Sequence, residues 1–276
     1  MKTLTVSLQE EYGIFGGTLD CLSLDDVFPR EGVEWKRPAV IVVPGGAYAH
    51  VSKREGEGVA ARFLAQGFQV AVLTYSIVSE GAKYPDQLIE LGCAVDYMKK
   101  HAKELFINPD EIFVVGFSAG GHLTANLAVE YAAVSKKAGF SVDCKVAAVG
   151  LCYPVITNKA AYKGTHENLL NGYTDEEKAE FLKTLNLDEA VSAQTTPAFI
   201  WATAADQLVP AVNSLRFATA LAENGVPYEL HIYPNGGHGL STADYEVSPD
   251  YSPEPRLQQW ISDCVAFFRN FTKETF

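Results

Sequence analysis

The sequence predicts an α/β chain, a mainly parallel sheet with helices on both faces. Strand-like apolar runs alternate with helical stretches from residue 38 to the end. Several of those runs are apolar at nearly every position, as strands buried on both faces are. The 276 residues also suffice for a core. Surface scaling has such a chain bury roughly 73% of its extended surface, so no disulfide or metal staple is needed.

Each element has its own signal. Residues 3–8 (TLTVSL) and 17–23 (GTLDCLS) alternate apolar and polar positions, as edge-type strands do. Residues 38–43 (PAVIVV) form a buried strand stopped by Pro44-Gly45-Gly46. Residues 53–66 space Val59, Phe63 and Leu64 as a helix does, with Gly67 as its C-terminal cap. Residues 69–74 (QVAVLT) read as the next buried strand. Over 86–105, Leu88, Leu91, Ala94, Val95 and Met98 fall on one side of a long helix ended by Ile107-Asn108-Pro109-Asp110. A strand at 111–116 (EIFVVG) leads straight into a helix at 119–132. Strands at 145–152 and 197–202, a helix at 209–223, a strand at 228–233 and a closing helix at 254–272 complete the order. The rhythm breaks at 153–196, where an acidic helix from Asp175 to Leu185 separates two strands that a short connection would otherwise join. This predicts one domain over 1–276 with a small cap-like insertion at 153–196.

Composition excludes several function classes. With 22 basic against 34 acidic residues, the net charge of −12 disfavours nucleic acid or an anionic membrane as partner. No apolar run reaches the roughly 18 residues of a membrane span. The opening MKTLTVSLQEEYG lacks an apolar signal-peptide core, so a cytoplasmic chain is expected. The five cysteines, Cys21, Cys93, Cys144, Cys152 and Cys264, are odd in number and form no CxxC pair. They read as buried free thiols.

Gly116-Phe117-Ser118-Ala119-Gly120 matches GxSxG between a buried strand and a helix. A strand that turns sharply into a helix forces a serine into strained backbone and exposes its Oγ at the positive helix end. Gly116 and Gly120 would approach each other there, leaving no room for a Cβ. Ser118 is therefore the candidate nucleophile, and it needs a base. Of six histidines, His101 sits on a polar helix side and His231 inside a strand. His122 is carried back beside the turn rather than over Oγ, and His166 lies in the inserted stretch. His238, in Asn235-Gly236-Gly237-His238-Gly239 just past a strand, is the candidate base. Asp206, the one acid in the loop after strand 197–202, is the candidate that orients it. The order Ser118, Asp206, His238 is the one associated with this elbow. A developing oxyanion would find one donor in the Ala119 amide and another in the turn Pro44-Gly45-Gly46-Ala47-Tyr48.

PGGAY at 44–48, GFSAGGHL at 116–123, ADQLVP at 205–210 and NGGHGL at 235–240 resemble the α/β-hydrolase esterase/lipase family. The likeness is strongest to the hormone-sensitive-lipase-like and acetyl-xylan-esterase-like bacterial carboxylesterases, and it covers roughly 36–272. The family's oxyanion loop reads HGGG; here Pro44 replaces the histidine and Ala47 the last glycine, leaving the amides of Gly46 and Ala47 as donors. The resemblance implies an α/β-hydrolase fold with eight strands in the order 1-2-4-3-5-6-7-8, the second antiparallel. It also implies no metal and no organic cofactor. The expected activity is hydrolysis of short-chain acyl esters, acetylated sugars or xylan oligosaccharides among them, through an acyl-enzyme. Tyr48, Tyr75, Tyr84, Tyr153, Trp201 and Tyr245 fall near strand ends or loops, an aromatic rim suited to stacking on sugar or aryl rings. Tyr48, Tyr153 and Trp201 are the candidate substrate-binding residues. Three rivals stay open: an arylformamidase-like amidase, a prolyl-oligopeptidase-like peptidase (whose usual propeller is absent) and a non-catalytic receptor on the same fold. The expected partner is a small-molecule ester, with monomer and homodimer both open.

Overall fold

Strand-forming residues dominate the centre of the molecule, where a side chain can be buried on either face of the sheet. The computed structural model describes residues 1–25, 36–160, 163–245 and 255–273. Eight strands form one sheet: β1 (Lys2–Ser7), β2 (Thr18–Ser23), β3 (Arg37–Val43), β4 (Gln69–Thr74), β5 (Ile107–Phe117), β6 (Ala148–Cys152), β7 (Ala198–Thr203) and β8 (Tyr228–Tyr233). Their spatial order is β1-β2-β4-β3-β5-β6-β7-β8, as the resemblance implied. β2 runs antiparallel to both β1 and β4, and every later pairing is parallel.

The helices are α1 (Leu8–Tyr12), α2 (Glu57–Ala65), α3 (Asp86–Lys100), α4 (Ala119–Glu130), α5 (Val134–Ala138), α6 (Gly164–Leu169), α7 (Asp175–Leu185), α8 (Val212–Glu223), α9 (Pro255–Gln258) and α10 (Trp260–Arg269). Alternate strand residues feed two cores. Ala39, Ile41 and Val43 join Leu88, Leu91, Leu127 and Phe217, under α3, α4 and α8. Val40 and Val42 join Val59, Phe63, Trp260 and Phe268, under α2 and α10. All five cysteines are buried and free. Burial pushes the Cys21 thiol up to about 12.

Several boundaries differ from the sequence reading. The helix expected over 53–66 is a short 3₁₀ turn, Lys53–Glu55, followed by α2. Gly67 lies just past the cap residue Gln66, in the left-handed region at φ 91°. The helix expected to 105 ends at Lys100, and β5 begins at Ile107 rather than 111, pairing Ile107 with Arg37. β6 begins at Ala148 rather than 145. The closing helix is two helices, and residue 254 lies outside the described residues. So do residues 161–162 of the 153–196 stretch, whose described part carries α6 and the anticipated α7. Among the described residues, no helix is long and apolar enough to cross a membrane.

Candidate active site

Parallel strands end together, so the loops after β3, β5, β6, β7 and β8 converge at one edge. β5 turns into α4 through Ser118, whose backbone sits at φ 52°, ψ −113°. Two glycines permit that turn. A Cβ on Gly116 would stand 2.3 Å from the Gly120 carbonyl oxygen, and one on Gly120 would stand 2.1 Å from that of Val43. The strain is held by hydrogen bonds. The Ser118 amide donates to Cys152 O at 3.0 Å, and its carbonyl accepts from His122 and Val155. Non-glycine residues with positive φ are uncommon and store strain. Seven occur among the described residues, and six of them, Ala47, Tyr48, Ser118, Tyr153, Ser241 and Ala243, belong to this edge.

Asp206 is buried beyond the end of β7. Its Oδ1 accepts from the amides of Leu208 and Val209, both at 2.9 Å. α8 begins only at Val212, so Asp206 organises its own loop and does not cap that helix. Its Oδ2 lies 2.7 Å from His238 Nδ1, and His238 Nε2 lies 2.8 Å from Ser118 Oγ. A carboxylate accepting at Nδ1 makes Nδ1 the protonated nitrogen and leaves Nε2 free to accept from the serine hydroxyl. Residues 118, 206 and 238 thus meet in one hydrogen-bonded line. Beside them, the amides of Gly46, Ala47 and Ala119 donate to no acceptor among the described residues. The left-handed Ala47 (φ 52°) gives the loop after β3 its sharp bend.

The expected aromatic rim differs in the structure: Tyr48, Tyr75, Tyr84, Tyr153 and Trp201 are all buried and present no exposed ring. Trp201 lies inside β7 and stacks on Trp260 at 5.4 Å. Positive φ turns Tyr48 and Tyr153 inward. The Tyr48 hydroxyl meets His122 Nδ1 at 2.9 Å, and the Tyr153 ring stands edge-on to His238 at 5.1 Å. Tyr75 donates to the Pro44 carbonyl and Tyr84 to Glu130. Tyr245 alone of the six is exposed, at 65%.

Two polar residues escaped sequence reasoning. Glu55, within the charged run Lys53-Arg54-Glu55, reads as solvated but is buried under the loop after β3. Asn168 on α6 donates to the Ala47 carbonyl at 2.8 Å and ties the 153–196 stretch to that loop. Neither periodicity nor spacing signals either contact.

The chain is similar to known proteins over most of its length. The BD-FAE family model matches residues 25–221. An acetylxylan esterase of Xylanibacter ruminicola is 31% identical over 208 residues, which is 73% of this chain and 41% of that protein. The chain spans about two fifths of the length of the curated relatives it matches first. Among solved structures, an acetyl ester-xyloside bifunctional hydrolase from Caldicellulosiruptor lactoaceticus superposes with a TM-score of 0.80 at 30% identity, covering 97% of this chain and 96% of that one. MGS-M1, an α/β hydrolase from a deep-sea metagenome, gives 0.76 at 32% identity, covering 98% of each chain. With its sheet order, its strained serine turn and these likenesses, the chain belongs to the BD-FAE family, on the α/β-hydrolase fold.

Proposed function

We propose that this protein is a serine carboxylesterase acting on short-chain acyl esters, acetyl groups on xylose-containing oligosaccharides being the favoured class. The observation that carries the reading is the unbroken line from Asp206 through His238 to Ser118. Ser118 Oγ attacks the ester carbonyl while His238 Nε2 takes its proton. Asp206 holds the imidazole tautomer and stabilises the imidazolium. The tetrahedral oxyanion is received by Ala119 and by the open amides of Gly46 and Ala47, each donor worth about 3 kcal/mol in such sites. His238 then protonates the departing alcohol, and a water activated at Nε2 releases the acid from the acyl-enzyme.

The acetyl preference is supported by the names of the acetylxylan esterase and of the acetyl ester-xyloside hydrolase. The part of 153–196 that carries α6 acts as a small cap, joined to the oxyanion loop through Asn168. The buried thiols and the acidic balance support a cytoplasmic site of action on small oligosaccharides.

Hydrolysis of p-nitrophenyl acetate, butyrate and octanoate, of acetylated xylo-oligosaccharides and of aryl-formamides tests this directly. Acetate is expected to be preferred. Faster turnover of the formamide than of any ester would overturn the esterase reading in favour of an amidase. A serine-directed fluorophosphonate should label Ser118 alone.

A further inference from the structure

We propose that Glu55 is a positioning residue, one buried acid that keeps the oxyanion loop and the His238 imidazole in mutual register; this rests on the hydrolase reading above. Glu55 is 3% exposed, and both its oxygens accept from walls of the site. Oε2 takes the Gly45 amide at 2.8 Å and Oε1 takes the Tyr153 hydroxyl at 2.7 Å. The adjacent Arg54 guanidinium donates instead to the Gly239 carbonyl at 2.6 Å. A buried acid held by neutral donors costs stability, and such groups concentrate where they act on chemistry.

Each oxygen governs one half of the machinery. Pinning the Gly45 amide sets the direction of the chain just before the two open amides of Gly46 and Ala47. The contact is intimate, because a Cβ on Gly45 would stand 2.8 Å from Glu55 Oε2 and 2.9 Å from Ser118 Cβ. On the other side, the Tyr153 hydroxyl also accepts from the Ser241 amide at 2.8 Å, while its ring stands against His238. Ser241 Oγ donates back to the Arg54 carbonyl at 2.6 Å. The turn Lys53–Glu55 thereby clamps the loops after β3, β6 and β8 together.

The ionisable groups that face Glu55 are Tyr153, Tyr75 and Cys152, and its charge opposes ionisation of all three. Those that face His238 are Asp206, Ser118 and Tyr153. Glu55 therefore acts on His238 through the Tyr153 ring that it holds in place.

Glu55→Gln is the test, since a glutamine amide offers one oxygen where the Gly45 amide and the Tyr153 hydroxyl both need an acceptor. On p-nitrophenyl acetate, kcat is expected to fall about tenfold or more, with KM within about twofold and fluorophosphonate labelling slowed in step. Glu55→Asp keeps both acceptor oxygens without the reach, so it should recover little of kcat. Tyr153→Phe keeps the ring on His238 and removes one donor, and should lose less kcat than Glu55→Gln. A folded Glu55→Gln with wild-type kcat would overturn the proposal. So would a lower kcat with a KM raised in proportion, the mark of general loosening. If Glu55→Gln does not fold, wild-type kcat in Tyr153→Phe overturns it. A wild-type protein that hydrolyses no ester and takes no label would instead sink the esterase reading.

Discussion

His122 and His238 both lie against the Ser118 turn, yet their surroundings make them chemically opposite. His122 is four residues beyond the serine and fully buried in the first turns of α4. Its Nδ1 meets the Tyr48 hydroxyl, and its Nε2 shares the Leu185 carbonyl with His166 Nε2. The two rings stand 4.8 Å apart. Burial first, then the neighbouring His166, hold the His122 imidazole well below its ordinary pKa. Burial pushes His166 down to about 4. His238 reaches the serine from 120 residues away. It keeps partial access to solvent and has a carboxylate on Nδ1. Closeness in sequence does not equip an imidazole to move protons; a charged partner and a route to water do.

The contrast can be broken in order of size. Ser118→Ala and His238→Ala are each expected to lower kcat about ten-thousand-fold or more with the fold retained. Asp206→Asn should cost about a thousand- to ten-thousand-fold, because the wrong tautomer would face the serine. The buried pair makes a stability prediction. The folded pKa of His166 lies below its unfolded value, so between pH 6.5 and about 4 the unfolded chain binds a proton that the folded chain refuses. Stability therefore falls as pH drops through that window, by about 3 kcal/mol for His166. Urea titrations from pH 7 to 4 would measure it, and His166→Gln should flatten the slope. The smallest effect belongs to His122→Phe. Turnover is expected to stay within about threefold, and stability should drop by about 1–3 kcal/mol as the Tyr48 hydroxyl loses its acceptor. A hundredfold loss of kcat in that variant would erase the distinction between the two histidines.

What could be read in advance was whatever a periodic pattern or a strand end announces. β4 and β8 carry the expected bounds because Gly67 stands just before β4, and Pro227 and Pro234 bracket β8. Residues 118, 206 and 238 stood out because each follows a strand within a few residues, and parallel strands deliver such loops to one edge. The aromatics misled because a residue near a strand end can point up or down. The inward turns at Tyr48 and Tyr153 depend on positive φ, which non-glycine side chains do not advertise. Glu55 was hidden for a related reason. Its partners are a backbone amide ten residues away and a hydroxyl 98 residues away, contacts that only the closed fold creates.

The torsion at Ser118 has a thermal price. A residue held at φ 52°, ψ −113° sits where only glycine is comfortable. Ser118→Gly should raise the unfolding free energy by about 1 kcal/mol or more and, on the proposed mechanism, leave no hydroxyl to acylate. A laboratory selection for heat resistance alone would be drawn toward that variant, so any hardened form of this protein has to be screened on turnover and melting point together.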